Sequence, residues 1–347
     1  LKLCRSTFVL QDPRTSLVES ICCLHVDDGF LVGSFDNAAV RAAKEYIDQH
    51  FNIKEWIDLQ GQSHDYLGEG TAQHDDYSIT TSMEPYIDKL EPIPVEKGDP
   101  DERVLGDDER SNLRSLVMKL AWPARKMMSQ ILYGVSKAAK EVNNATVRTV
   151  KEVNDLVKYA KAEAAAGRAQ KTYRAVDLSD PLIVTYFDAS FANETGGKSQ
   201  AGMFSVVTDR RALDTVTPAN EIEKTSNKIS RVVRSTMAAE SASMSTALDR
   251  QLYARILFQV LMYGEDTIGS DWRASLNMPG VMVTDARSLY DHLTTTGSIP
   301  SERQTMLDFL CAKEMIETAQ VSIRRVPTQP QLCLLSPSDS ADAPTRL

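Results

Sequence analysis

The second half of the chain constrains the fold most, because its apolar period switches repeatedly between two and 3.6. Leu182–Phe187 and Ala201–Thr208 read as buried strands, and Ile222–Ser230 as a poorer third. A long helix is predicted over Ser235–Tyr263, stopped by Gly264. A strand at Val281–Thr284, helices at Ala286–Leu293 and Glu302–Thr318, and a last strand at Val321–Val326 follow. Three strands, a helix, a strand, two helices and a strand specify an α/β domain built on a mixed sheet. The span has the length of one such domain. After Pro327 the periodicity is lost to Pro, Ser and Asp, and a disordered tail is expected.

The first half follows another pattern. Ser20–Gly33 reads as a β-hairpin with Asp27–Asp28–Gly29 at its turn, and Asn37–Phe51 as an amphipathic helix. Asp65–Thr81 reads as a second hairpin, its strands separated by Gln73–Asp76. Glu91–Asp108, rich in Pro, Gly and acids, reads as a linker. Ser111–Ala166 is Ala-rich with few breakers and is predicted helical up to Gly167; Arg168–Asp180 is expected to be a second connector. There are no internal repeats.

Composition matters chiefly through charge. The 347 residues are 42% hydrophobic and 25% charged, which excludes collagen-like, low-complexity and wholly disordered chains and points to about two domains. The net charge of −9 hides an uneven distribution: Arg110–Ala175 carries 14 Lys/Arg against 4 Asp/Glu, between flanks of −14 and −5. A basic stretch between acidic ones lets a chain hold carboxylate metal sites and still track a phosphate backbone. A solvated helical face gives the same run, and charge alone weighs the two readings evenly.

Cys4, Cys22, Cys23, Cys311 and Cys333 are odd in number with no Cys-x-x-Cys pair, so neither a zinc site nor a disulfide framework is expected. A reducing, intracellular compartment (cytoplasm or nucleus) is the expectation, since no signal peptide is visible. No apolar run approaches the roughly 18 residues of a membrane span. The chain opens at Leu1 in what reads as mid-domain sequence, and is expected to be a piece of a longer polypeptide.

Two groups of acids stand where chemistry is possible. Asp27 and Asp28 are flanked by apolar strands, so a turn projecting them makes a hard, oxygen-rich site for Mg²⁺; surface turn chemistry is the plainer reading. Asp188 ends the strand Thr185–Asp188, Glu240 lies in the first turns of the long helix, and Asp285 follows the strand Val281–Thr284. Acids at two strand ends and on a helix crossing the same sheet can converge, as a two-metal phosphodiester cleavage site requires. Each alone reads as a cap or turn acid.

Taken in succession, these segments resemble copia-type retrotransposon polyproteins. His25-Val26-Asp27-Asp28 resembles the Tyr-Val-Asp-Asp motif of reverse transcriptases, within a Leu24–Gly33 hairpin similar to theirs. Phe51-Asn52-Ile53-Lys54, Tyr66-Leu67-Gly68 and Ile79–Leu90 resemble the segments that follow, up to the last palm strand and the start of the thumb. Asp188-Ala189-Ser190-Phe191, Ser235–Glu240 and Asp285-Ala286-Arg287-Ser288 resemble the catalytic segments of the same polyproteins' ribonuclease H domain. Ile323–Thr328 resembles the strand before that domain's fourth acid. Here Gln331-Leu332 runs into Cys333, so that acid is missing from its place, and Asp339 or Asp342 in the tail are the substitutes at hand. Arg125-Lys126-Met127-Met128 replaces the family's Arg-Pro-Asp.

The resemblance implies an α/β chain with a partial reverse-transcriptase palm and thumb over 1–95 and a linker and basic helical connection over 96–180. A ribonuclease H-like domain follows over 181–328, a mixed five-stranded sheet with flanking helices, and then the disordered tail, 329–347. It implies that Asp188, Glu240 and Asp285 hold two Mg²⁺ or Mn²⁺ ions and cleave RNA in RNA–DNA hybrids. Asp27 and Asp28 belong to a polymerase site whose third aspartate would lie on an upstream segment, so polymerisation by this chain alone is not expected. Arg125, Lys126, Lys137, Lys140 and Lys151 are expected to contact the phosphates of the hybrid or template–primer duplex, independently of sequence. The alternative is a catalytically dead retroelement remnant that at most binds nucleic acid; a host structural role has no support in the sequence.

Other features read as structural. Trp56, Trp122 and Trp272 are expected to pack rather than stack on bases, and Met127-Met128 to lie in the core. His292 is expected on a helix surface, and Gly196-Gly197-Lys198-Ser199 lacks the spacing of a phosphate loop.

Overall fold

The computed structural model describes residues 5–26, 28–194 and 197–327. Chain order begins with a three-stranded antiparallel sheet of β1 (Thr7–Gln11), β2 (Val18–His25) and β3 (Asp28–Gly33), followed by α1 (Ala38–His50). Asn37 caps α1 by accepting the Ala39 amide at 2.8 Å, and its side-chain amide donates to Glu19 at 2.8 Å. The hairpin is tighter than expected. His25 pairs with Asp28, and Asp28 opens the return strand instead of sitting at the turn.

A second, four-stranded sheet corrects two further expectations. The segment read as one hairpin forms three strands, β4 (His64–Tyr66), β5 (Glu69–Gln73) and β6 (Ile79–Ser82), with a short helix α2 (Glu84–Asp88) after them. Its fourth strand, β7 (Gln170–Tyr173), arises inside the stretch expected to be a plain connector. Gln-Lys-Thr-Tyr has no apolar alternation to announce a strand; it becomes one because β6 offers an open antiparallel edge.

Between β6 and β7 run three helices, α3 (Asp107–Lys126), α4 (Ser129–Glu141) and α5 (Val147–Ala165). Leu113, Leu116, Val117, Leu120 and Ala124 form the apolar stripe of α3, and Val147, Val150, Val153, Val157, Ala160 and Ala164 that of α5. The stripes meet in one core with Met127 and Met128, as expected of that pair. Acids Asp107–Glu109 begin α3 and Arg125 and Lys126 end it, complementing its dipole. The preceding segment does not hang free. Ile93 exchanges two hydrogen bonds of 2.8 Å with the Asn154 side chain, and Leu105 is buried in the helical core.

The last part is the five-stranded mixed sheet with flanking helices that the sequence implies. Its strands are β8 (Pro181–Glu194), β9 (Lys198–Asp209), β10 (Asn220–Lys228), β11 (Gly280–Thr284) and β12 (Val321–Arg325), in the order β10-β9-β8-β11-β12. The β8–β9 and β9–β10 pairs are antiparallel, and β8–β11 and β11–β12 are parallel. Helices α6 (Thr236–Tyr263), α7 (Arg287–Thr294) and α8 (Arg303–Thr318) pack around a core containing Phe187, Met203, Met244, Met282, Leu289 and Phe309. Alternate residues Leu182, Val184, Tyr186, Val281 and Val283 form a second cluster, as the two-residue period of strands demands.

Helix α6 runs 28 residues. Ser235 caps its start, its hydroxyl accepting the Ala238 amide at 3.1 Å. Gly264 ends it with φ of +92°, and a Cβ there would lie 3.3 Å from the Gln11 side chain at the end of β1. The outer part of this sheet meets α4 and the β7 segment through polar contacts. Lys140 donates to Gln200 at 2.8 Å, Lys171 to Glu221 at 2.6 Å, and Asn220 to the Arg174 carbonyl at 2.7 Å. Among the described residues no helix is long and apolar enough to cross a membrane.

Candidate active site

The register of two adjacent parallel strands sets the site. Val283 of β11 pairs with Tyr186 of β8, and two residues further along each strand come Asp285 and Asp188. Asp188 is still within β8, and Asp285 stands just past the end of β11. Glu240, in the second turn of α6, completes the group from the helix that crosses β8. The small residues Ala239 and Ala242 bring that helix down onto Ala189, and the Ser243 hydroxyl donates to the Asp188 carbonyl at 2.8 Å. The Ala189 amide donates to Asp188 Oδ1 at 2.8 Å.

Glu240 is 6% exposed, an unusual place for a carboxyl group. It shares a hydrogen bond with the Asp188 side chain, which requires one proton between the two groups. Burial first, then repulsion from Asp188 and from Asp285, pushes its pKa up to about 9, against a smaller downward pull from the Ala189 amide. Its Oε2 is buried with no hydrogen-bond partner. A hard oxygen atom, sealed from water and facing two further carboxylates, has the donor chemistry that suits a divalent cation. The three acids are within electrostatic reach of one another without being drawn into a closed ligand set. Among the described residues no three His, Cys, Asp or Glu side chains form a metal-holding group.

The other candidate residues are placed as follows. Asp28 is exposed on the β2–β3 hairpin, while Asp27, Asp339 and Asp342 lie outside the described residues. Tyr66 packs its ring against Phe30 beside that hairpin, at 5.2 Å between centroids. Lys126 pairs with Glu69 at 2.8 Å and lies over Trp122, so Trp122 carries a cation as well as packing. Lys137 pairs with Glu152 at 3.0 Å and Lys151 with Asp101 at 2.6 Å, both in exposed positions where such pairs are worth little and exchange readily for a phosphate. Lys140 is turned toward Gln200, and Arg125 is exposed on the last turn of α3. His292 is half-buried: it bonds Ser298 at 2.6 Å and meets Phe309 edge-on, which explains its place without chemistry.

Sequence reasoning missed Ser241, Ser243, Arg231 and Asp308, whose hydrogen bonds gather around the start of α6. Each reads as an ordinary helix or loop residue, and only their meeting in space gives them a role. A broad surface concavity of about 610 Å³ lies elsewhere, lined by Gly61, His74, Asp75, Asp76 and Thr172; its titratable groups are exposed, and the acid cluster is the better candidate.

No protein-family model and no curated protein sequence matches the chain. Solved structures do. The foamy viral protease–reverse transcriptase in complex with an RNA/DNA hybrid is 11% identical over 94% of this chain and 38% of its own, with a TM-score of 0.46. LC11 ribonuclease H1 in complex with an RNA/DNA hybrid is 16% identical over 43% of this chain and 88% of its own, with a TM-score of 0.28. Ribonuclease H1 from the halophilic archaeon Halobacterium salinarum is 17% identical over 42% and 86%, with a TM-score of 0.23. The chain thus spans 38% of the length of the foamy viral protein. With every one of these TM-scores below 0.5, a function has to rest on the chain's own residues.

Proposed function

We propose that this chain is part of a copia-type retrotransposon polyprotein and that Asp188, Glu240 and Asp285 form a divalent-metal-dependent ribonuclease H centre acting on RNA–DNA hybrids. The substrate class comes from the sequence resemblance; the chemistry comes from the site. One observation carries the reading. Glu240 keeps an unpartnered carboxylate oxygen in the protein interior, between two other acids, at a cost that a bound cation would remove.

The chain's own residues do the following. Asp188, inside β8 with its orientation fixed by the Ala189 amide, and Asp285, just past the end of β11, present oxygens from neighbouring strands. Glu240 holds the proton it shares with Asp188, and its release leaves an acceptor-only cluster that takes two Mg²⁺ or Mn²⁺ ions. Such ions supply the Lewis acidity for in-line attack of water on a phosphodiester. Residues 181–328 form this nuclease domain and 96–180 the connection whose Arg125, Lys126, Lys137, Lys140 and Lys151 face the duplex backbone. Residues 1–95 carry Asp27 and Asp28 of the polymerase palm part.

Incubating the chain with a labelled hybrid in Mg²⁺ or Mn²⁺ tests this: cleavage of the RNA strand, lost in Asp188→Asn, is expected. A second reading, a remnant that binds hybrid without cutting it, is favoured by the open spacing of the acids and by Cys333 near the fourth acid's place. Retention of the hybrid with no cleavage in either metal would establish that remnant.

A further inference from the structure

Residues 229–235 lead from β10 into α6; the Ile229 amide donates to the Ser199 carbonyl at 2.8 Å at the start of the segment, and a carboxylate on α8 ties down Arg231. Asp308, in the second turn of α8, has a side chain only 13% exposed. Its two oxygens receive the guanidinium of Arg231, one contact being 3.4 Å and the other shorter. Asp308 Oδ2 also accepts the Ser241 hydroxyl at 3.0 Å. Ser241 is fully buried and directly follows Glu240. One side chain on α8 thus holds the approach to α6 and the second turn of α6 itself. On the other side of the helix start, the Ser243 hydroxyl holds the Asp188 carbonyl.

We propose that Asp308 is a positioning residue for Glu240, acting through Ser241 and Arg231 to keep the start of α6 pressed toward Asp188 and Asp285. The proposal rests on reading the three acids as the nuclease centre. Its physical basis is geometric: Ser241 directly follows Glu240, so a carboxylate on α8 that bonds both Ser241 and Arg231 fixes where the second turn of α6 stands. Arg231 is the cation that makes the hold strong, because a half-buried carboxylate receiving a guanidinium and a hydroxyl is a charge-assisted network. Without Asp308, Arg231 is left a partly buried, unpaired charge, and the segment before α6 must move to hydrate it.

The test compares the full chain with Asp308→Ala, with the milder Asp308→Asn, which keeps an acceptor for Ser241, and with Ser241→Ala. Two readouts are taken: amide hydrogen exchange along α6 in chelator, and the Mn²⁺ concentration giving half-maximal hybrid cleavage. Asp308→Ala is expected to speed exchange at residues 238–243 by tenfold or more while leaving residues 250–260 within twofold. It should also raise the Mn²⁺ requirement at least tenfold with the hybrid KM within twofold. Asp308→Asn and Ser241→Ala should show the same pattern, reduced to about threefold. In an Glu240→Gln background the Asp308 substitutions should no longer change Mn²⁺ binding, measured calorimetrically. Exchange rising equally along all of α6, or unchanged at 238–243 in both Asp308 variants, overturns the proposal. A wild-type chain that neither binds Mn²⁺ nor cleaves hybrid, yet shows the local exchange effect, sinks the nuclease reading and leaves Asp308 as the restraint on Glu240.

Discussion

Replacing Glu240 by glutamine should make the protein more stable in the absence of metal, although it deletes a central residue of the candidate site. In the native state Glu240 keeps its proton up to about pH 9, whereas in the unfolded chain it releases it near the ordinary 4.5. Between those values the native state binds more protons than the unfolded one, so stability is fully present below pH 4.5 and falls as the pH rises through that window. At pH 7 the unfavourable span is 2.5 units above 4.5, which at about 1.36 kcal/mol per unit amounts to roughly 3 kcal/mol. Glutamine never ionises, and its amide still donates to Asp188. One polar atom stays unsatisfied in either protein, so that cost cancels in the comparison. Urea unfolding in EDTA should therefore show Glu240→Gln ahead by roughly 2–3 kcal/mol at pH 7, by more at pH 9, and level with wild type at pH 4.5. Adding Mn²⁺ should reverse the order once it reaches about 1,000 times its Kd, where it adds about 4.1 kcal/mol to the wild type alone. A variant less stable than wild type in EDTA at pH 8, or a difference that does not change with pH, refutes the reasoning.

Other perturbations give separate checks. Lys224 has a 3% exposed side chain and a pKa lowered to about 8, by burial first, against the pull of Glu221. Its native state holds fewer protons than the unfolded chain between pH 8 and the ordinary 10.5, so stability should rise over that window. Lys224→Met should flatten this rise and gain about 1–3 kcal/mol at pH 7, read from urea midpoints at pH 7 and pH 10. Gly280→Ala should cost about 1–3 kcal/mol in urea unfolding, because its Cβ would fall 2.2 Å from Gln251 Oε1. That contact would push Gln251 off Thr185 and Val281, which it now bonds at 3.1 and 2.9 Å, and Gln251→Ala should recover part of the loss. Glu69→Gln should free Lys126 and strengthen hybrid binding severalfold at low salt, with a steeper salt dependence in a filter-binding titration.

Local chemistry was the legible part of this fold. Ser235 and Gly264 mark both ends of α6, and the apolar runs at Leu182–Phe187 and Val281–Thr284 give strands at the expected places. The sequence could not announce β7, whose Gln-Lys-Thr-Tyr becomes a strand only beside β6, nor the tighter turn that puts Asp28 into β3. At the site, the three acids could be picked out, but Asp188 lies inside β8, which continues past it to Glu194, and not at the strand end expected. The burial of Glu240 depends on how closely Ala239 and Ala242 let α6 approach, which no local pattern announces. Ion pairs were the least legible. Lys151 and Asp101 are 50 positions apart, and Arg231 and Asp308 are 77, so no local pattern signals either.

The length of α6 has a geometric consequence. Glu240 sits near its beginning and Gly264 at its end abuts the N-terminal sheet. At about 1.5 Å per residue the 24 steps between them make a strut of roughly 36 Å. A rigid spacer of this kind, unlike a flexible tether, fixes both the separation and the phase of its two ends, and inserting a few residues into the rod would rotate one end out of step with the other.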